Sequence, residues 1–494
     1  MIQLTSPHFD NTYVKLPEQF YAHQKPTPVS APQLIRVNHA LAEQIGISTE
    51  WLASAQGLQV LAGNDIAPGS EPIATAYAGH QFGGWNPRLG DGRAVLLGEI
   101  FGTDGKRYDL QLKGAGRTPF ARGGDGRSPL GPVLREYVVS EAMAALGVPT
   151  SRSLAAVATG DQVMRDSLQP GGILTRVSSS HIRIGTFQYF DGIGDEEGVR
   201  ALADHVIARH YPESAKTVRP YVALLQSVIA KQAELIAQWQ QLGFIHGVMN
   251  TDNMLVSGET IDYGPCAFMD EYDANTVFSS IDRGGRYAYA NQPAIGQWNL
   301  AWLARVLLPL LDPDEDAAIE AAQQAIDGYV TLYHSAYNEL MAQKLGLNRS
   351  SEASVILIAE LLELMAAAQS DYTLTFRRLA EIAGPHEGFE SVADIFELPD
   401  NLALWAEKWR ALLAREETTA VQRQEQMLAL NPAFIARNHL VEEAIRKAVD
   451  ENDLRPFHQL VERLGAPCDF QLADAHYARP PAVEQRVLNT FCGT

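Results

Sequence analysis

Hydrophobic positions fall into two regimes along this chain. Between 74 and 125 they come in short runs separated by glycine, and from about 195 onward they recur at helical spacing. Length and bounding glycines make the runs at 94–100 and 108–113 strands. Leu134, Val138, Ala142 and Leu146 mark one face of a helix that stops at Gly147, and strands follow at 153–159 and 172–177. A long amphipathic helix is predicted over 220–242, with Pro220 tolerated in its first turn and Gly243 ending it. A further helix is predicted around 32–42, and nearly every segment beyond 295 has helical period. The expected fold class is α+β: a mixed-sheet lobe followed by a larger helical lobe. The regions are 1–70, an N-terminal extension; 71–190, the sheet lobe; 191–310, the helical lobe; and 311–494, a helical C-terminal extension.

With 494 residues, the chain is about three times the usual single-domain length, and a large buried core is expected. Hydrophobic residues make up 46% and charged residues 20%, with glycine and proline spread without a period, which excludes fibrous and wholly disordered classes. The formal charge of −20 disfavours a broad phosphate-tracking surface, so no nucleic-acid partner is expected, although a local basic pocket stays open. Apolar stretches such as 355–368 are short and interrupted by Glu360 and Glu363, so no membrane partner is expected. Three cysteines, Cys266, Cys468 and Cys492, are too few for a disulfide scaffold and lack zinc-site pairing. The first twenty residues carry Lys15, Asp10 and Glu18 and no apolar core of a leader. These features together predict a cytoplasmic protein, most simply a monomer.

The most informative segment follows the long helix: His246-Gly247-Val248-Met249-Asn250-Thr251-Asp252-Asn253. A turn at Ser257-Gly258 then leads to Ile261-Asp262-Tyr263-Gly264. Two short strands around that turn form a predicted hairpin, bringing Asp252, Asn253 and Asp262 to one end. Hard oxygen ligands of this kind suit Mg²⁺ shared with substrate phosphates. The competing reading is that Asp252 and Asn253 cap a turn.

A second signal is Leu89-Gly90-Asp91-Gly92-Arg93, whose glycines let backbone N–H groups approach a phosphate; alone it reads as a tight turn. Lys113 follows Gly90 by 23 residues at the end of a strand, and Glu136 follows Lys113 by 23 in a helix. A strand lysine held by a helix glutamate aims an ammonium at nucleotide phosphates, whereas either charge alone is usually solvated. Extra arginines accumulate nearby: Arg93, Arg117, Arg122, Arg176 and Arg183. The order of glycine turn, strand lysine, helix glutamate, long helix, Asp-Asn loop and Asp-Tyr-Gly is that of a protein-kinase-like nucleotide site.

Three runs carry a closer likeness. They are 77–93 (Tyr-Ala-Gly-His-Gln-Phe-Gly-Gly-Trp-Asn-Pro-Arg-Leu-Gly-Asp-Gly-Arg), 112–120 (Leu-Lys-Gly-Ala-Gly-Arg-Thr-Pro-Phe) and 246–253. In these runs, and over nearly its whole length, the chain resembles the selenoprotein O family of kinase-fold protein adenylyltransferases in its bacterial, cysteine-containing form. The resemblance implies a two-lobed protein-kinase-like fold and transfer of AMP from Mg-ATP, or with Mn²⁺ in place of Mg²⁺, to Ser, Thr or Tyr hydroxyls of proteins. It implies that Asp252 is the proton acceptor, that Asn253 and Asp262 hold the metal, and that Glu136 positions Lys113 on the phosphates. It further places Gly90, Gly92, Arg93, Lys113, Asp125, Gly126, Arg176, Arg183 and Asp262 on the nucleotide. ATP would then sit in a reversed pose, terminal phosphates inward and α-phosphate towards the acceptor. It also suggests a reversible Cys266–Cys492 disulfide; two unrelated thiols are the alternative.

The chain departs from ordinary kinases where their loop aspartate would stand: the position holds Val248. Two rival readings follow, phosphoryl transfer from the same site and a non-catalytic nucleotide-binding pseudokinase. His80 and His246 read as structural histidines, and Cys468 as a structural thiol.

Overall fold

Alternation along the strands near the middle of the sheet lobe does not leave one face wet. Ala94–Phe101 is buried at every position but the last, so a layer must cover each side. In the computed structural model, which describes residues 6–385 and 388–491, both layers are present. One face, with Val95, Leu112, Ile173 and Val177, packs under Val37, Leu41, Trp51, Leu52 and Leu61 of the N-terminal extension. The other, with Leu96, Ala156 and Leu174, packs on the helix Leu130–Ala145 and continues into the core of the helical lobe.

The strands form an antiparallel sheet in the order Tyr21–His23, Ile73–Thr75, Ala94–Phe101, Arg107–Lys113, Leu168–Ser178, Arg152–Met164, Gln33–Val37, with Ser128–Pro129 pairing Leu168–Ser178 off this path. Register fixes the chemistry. Lys113 lies opposite Leu174, and Arg176 opposite Gln111, so Gln111, Lys113 and Arg176 share the face turned to the helix Leu130–Ala145. That helix carries Glu136 and is braced from behind by the C-terminal extension: Arg135 donates to Asn438 at 2.7 Å, and Tyr137 meets the Phe457 ring edge-on.

The helix Pro220–Leu242 begins at proline and ends at Gly243 in the left-handed conformation, φ 70°. It delivers the chain to the strand Phe244–Ile245 and then to the Asp-Asn loop, a single turn at Thr251–Asn253.

Three expectations need correction. The region 32–42 is a strand, Gln33–Val37, followed by a short helix, His39–Gln44. Its apolar residues pair with the sheet edge, and Asn38 caps the helix through the Leu41 N–H at 3.1 Å. The hairpin expected around Ser257-Gly258 does not pair with itself. Leu255 bridges to Arg183 and Thr260 to Thr150, so the turn forms while its arms bond to different neighbours. Finally, one helical stretch, Tyr289–Leu311, is long and apolar enough to cross a membrane by length and composition, although half of its apolar window is buried inside the protein. Cys266 is buried, and Thr490 Oγ1 donates to the neighbouring Pro265 carbonyl at 2.6 Å. Cys492, the other half of the suggested disulfide, lies outside the described residues.

Candidate active site

A cavity of about 440 Å³ opens between the lobes. Gly90, Gly92, Arg93, Lys113, Asp125, Gly126, Arg176, Arg183, Asp252, Asn253 and Asp262 all line it, while Glu136 stands behind Lys113. Arg122 also reaches the cavity; Arg117 is exposed and does not.

The floor is an ion cluster centred on Asp262. Lys113 Nζ lies 2.6 Å from Glu136 and 2.9 Å from Asp262, Arg176 bonds both carboxylates, and Arg183 reaches Asp262 at 3.1 Å. Burial would raise the Asp262 pKa, but Arg176, Lys113 and Arg183 outweigh it and hold the carboxyl well below the usual range. Burial likewise opposes Glu136, and Arg176 and Lys113 again keep it ionised. Asp262 has φ 65°, a left-handed backbone costing of order 1–3 kcal/mol that persists where surrounding contacts fix it. Buried Asp91, 3.9 Å from Arg183, is a third carboxylate beside these three cations, so the positive surplus belongs to the cavity as a whole, where Arg93, Arg122, Arg127 and Arg165 join them against Asp125 and Asp252. Arg93 Nη1 and Arg183 Nε are buried there without hydrogen-bond partners, so the floor presents donors suited to phosphate oxygens.

At two of the glycines the backbone itself excludes a side chain. At Gly126, φ is 69° and an added Cβ would stand 2.2 Å from the Gly116 carbonyl; at Gly90, φ is 72° and a Cβ would strike the Phe120 ring at 2.3 Å. Gly126→Ala is therefore expected to displace the loop and weaken ATP binding by at least about tenfold, measured by calorimetry. Asp125 is more exposed: Arg165 reaches its two oxygens at 3.0 and 3.2 Å, and the Arg127 N–H donates to it at 2.9 Å.

Asp252 differs from the floor carboxylates. Oδ2 accepts from Gln81 Nε2 at 3.0 Å, Arg183 donates to its backbone carbonyl at 2.6 Å, and Oδ1 has no hydrogen-bond partner. Burial pushes its pKa up to about 6, although Arg183 and Gln81 both favour the ionised form. Such a carboxylate can accept a proton near neutral pH. Asn253 commits its amide nitrogen to the Val248 carbonyl at 3.0 Å, leaving Oδ1 for a ligand. Among the described residues no group of three or more His, Cys, Asp or Glu could hold a metal. The donors present, Asn253 and Asp262, fit Mg²⁺ bound jointly with substrate phosphates rather than an all-protein cage.

Several residues here were not singled out in the sequence. Asp91, between the two glycines, accepts from Thr75 Oγ1 at 2.6 Å and anchors the turn. Tyr77 lies 4.5 Å beneath the Arg183 guanidinium. The hairpin Gly79–Gln81 with Gly84–Asn86 clamps the Asp-Asn loop residue by residue. The His80 N–H donates to Thr251 Oγ1 at 2.7 Å, Gln81 holds Asp252, and the Phe82 N–H donates to Asn250 Oδ1 at 3.1 Å.

A strand lysine paired with a helix glutamate, below a glycine turn and opposite an Asp-Asn loop, defines a kinase-like nucleotide site on a kinase-like fold. The chain belongs to the protein adenylyltransferase SelO family, whose model matches residues 3–465. It is 56% identical over 486 residues to the protein nucleotidyltransferase YdiU of Rhodopseudomonas palustris (strain BisB5), covering 98% of this chain and 99% of that protein. Similar relatives bearing that name come from Rhizobium etli, at 54% identity over 98% of this chain and 97% of the relative, and Nitrobacter hamburgensis, at 56% over 98% and 96%.

Proposed function

We propose that the cavity binds ATP with its terminal phosphates on Lys113, Arg93, Arg176 and Arg183, and transfers AMP to a Ser, Thr or Tyr hydroxyl of an acceptor protein. The acceptor oxygen attacks the α-phosphorus, the bond to the α–β bridging oxygen breaks, and pyrophosphate leaves; the hydroxyl proton passes to Asp252 Oδ1. Glu136 fixes Lys113, and Gln81 fixes the Asp252 carboxylate. When bound, Mg²⁺ or Mn²⁺ would be held by Asn253 and Asp262 and would neutralise phosphate charge. The observation that carries this reading is the surplus of cations over carboxylates lining the cavity, with two unpartnered guanidinium N–H groups on Arg93 and Arg183, more positive charge than a single phosphate-binding lysine supplies. The net charge of −20 supports a protein rather than a nucleic-acid acceptor, and the few cysteines suit a reducing, cytoplasmic compartment.

Incubation with ATP labelled at the α-phosphate is expected to label acceptor protein and release pyrophosphate. Label arriving only from the γ-position would establish phosphoryl transfer instead, and no transfer from either position, with ATP still bound, would make the protein a pseudokinase.

A further inference from the structure

The helix Leu130–Ala145 turns two neighbouring charges to two different layers. Consecutive residues on a helix point about 100° apart, so Glu136 faces the sheet and the ion cluster while Arg135 faces away from the cavity, which it does not line. Arg135 is 4% exposed, and its guanidinium joins its helix to two other segments. Nη1 donates to the Cys266 carbonyl at 3.1 Å, and Nη2 donates to Asn438 Oδ1 at 2.7 Å and pairs with Glu442. Cys266 stands four residues after Asp262, so Arg135 ties together the chain segments that carry the two floor carboxylates.

The C-terminal extension grips the same loop a second time. Arg437, fully buried beside Asn438, donates to Asp371 at 2.8 Å and bonds Asp270, eight residues after Asp262. The helix Asn438–Asp450 also runs close against the Glu136 helix: a Cβ added at Gly131, four residues before Arg135, would stand 3.0 Å from the Ile445 side chain. A buried guanidinium costs desolvation, and a hydrophobic side chain of its volume often fills such a seam with no loss of stability. What the ion adds is direction: its planar fork fixes the loop carbonyl and the extension at set positions relative to the Glu136 helix. In a kinase-like site the strand lysine and helix glutamate must both be in place for transfer. A segment of the same chain sets that placement here.

We propose that Arg135 is a positioning residue through which the C-terminal extension holds Glu136 and Asp262 in register, and with them Lys113 over the triphosphate. It touches no reacting atom and acts through the two carboxylates. The inference rests on the reading that Lys113 meets the nucleotide phosphates.

The test uses the full chain and two readouts that need no transfer. One is ATP affinity by calorimetry; the other is the rate at which N-hydroxysuccinimidyl acetate acetylates Lys113, mapped by mass spectrometry against the exposed Lys106. Arg135→Met is expected to raise Lys113 acetylation relative to Lys106 by at least about threefold and to weaken ATP binding by at least about fivefold, the scale of coupling within one ion network. Asn438→Ala keeps the guanidinium and removes its acceptor on the extension, so both readouts should shift in the same direction. In a Glu136→Gln background, Arg135→Met should weaken ATP binding by less than about twofold further, because the register it sets no longer has a carboxylate at one end. Thermal melting checks the fold of each variant, and Asn438→Ala serves if Arg135→Met melts early. Unchanged acetylation and ATP affinity in the folded variants, or full additivity with Glu136→Gln, would overturn the proposal. ATP is expected to protect Lys113 in the wild-type chain. Loss of that protection, with Arg135-dependent acetylation retained, would sink the phosphate reading and keep the positioning role.

Discussion

Asp252→Asn is expected to lower AMP transfer by about 10²–10⁴-fold, the usual contribution of a positioned base, while leaving ATP affinity nearly unchanged. The same change is expected to stabilise the enzyme. Burial raises the Asp252 pKa to about 6, above the roughly 3.9 of an unfolded chain. A carboxyl with a raised folded pKa binds protons more tightly in the native state, so it destabilises the protein once pH exceeds the folded value. That penalty is absent below about pH 4 and complete above about pH 6, where it reaches about 2–3 kcal/mol at 1.36 kcal/mol per unit. A neutral asparagine removes it. Activity and stability should therefore move in opposite directions, checked by turnover and urea unfolding at pH 7. In the wild-type enzyme transfer should fall about tenfold per unit below pH 6, as the base becomes protonated.

Arg176→Ala has the opposite signature: both activity and stability should fall. Arg176 is 2% exposed and bonds Glu136 and Asp262 together. Removing one partner of a buried ion cluster costs about 3–5 kcal/mol, because the remaining charges keep their desolvation penalty with less compensation. Lys113→Met should be milder for the fold, since Arg176 still satisfies Glu136, yet equally damaging to transfer. Glu136 and Asp262 have depressed native pKa values, so their contribution is present above the unfolded value near 4 and is lost as pH falls through the native ones. Arg176→Ala should weaken that acid-side dependence without abolishing it, since Lys113 and Arg183 remain, and unfolding measured between about pH 2 and pH 5 would reveal the change.

How legible this was in the sequence depended on whether a residue's role is local. The helix Pro220–Leu242 was readable because its first-turn proline, its apolar period and the left-handed Gly243 that ends it are all local signals. Lys113 and Glu136 were readable because a strand end and a helix face each leave a periodic trace. Gln33–Val37 was misread because it is a strand only by virtue of its partner, Arg152–Met164, more than a hundred residues away. The paired arms expected around Gly258 failed for the same reason: each arm found a better partner elsewhere in the fold. Gln81 left no trace at all. An amide in a short hairpin has no periodic signature, and its importance arises from the Asp252 oxygen 171 positions along the chain. Asp91 stood in plain view between two glycines, but its carboxylate serves the turn through Thr75 and Gln111, which only the sheet brings near.

The direction of the nucleotide is the claim on which the function depends, and a crystal structure with Mg²⁺ and an ATP analogue that resists α–β cleavage tests it most directly. The expected density has the γ-phosphate against Lys113, Arg176 and Arg183, with the α-phosphorus open to in-line approach beside Asp252. Adenine lodged at the cavity floor with the γ-phosphate nearest Asp252 would contradict it.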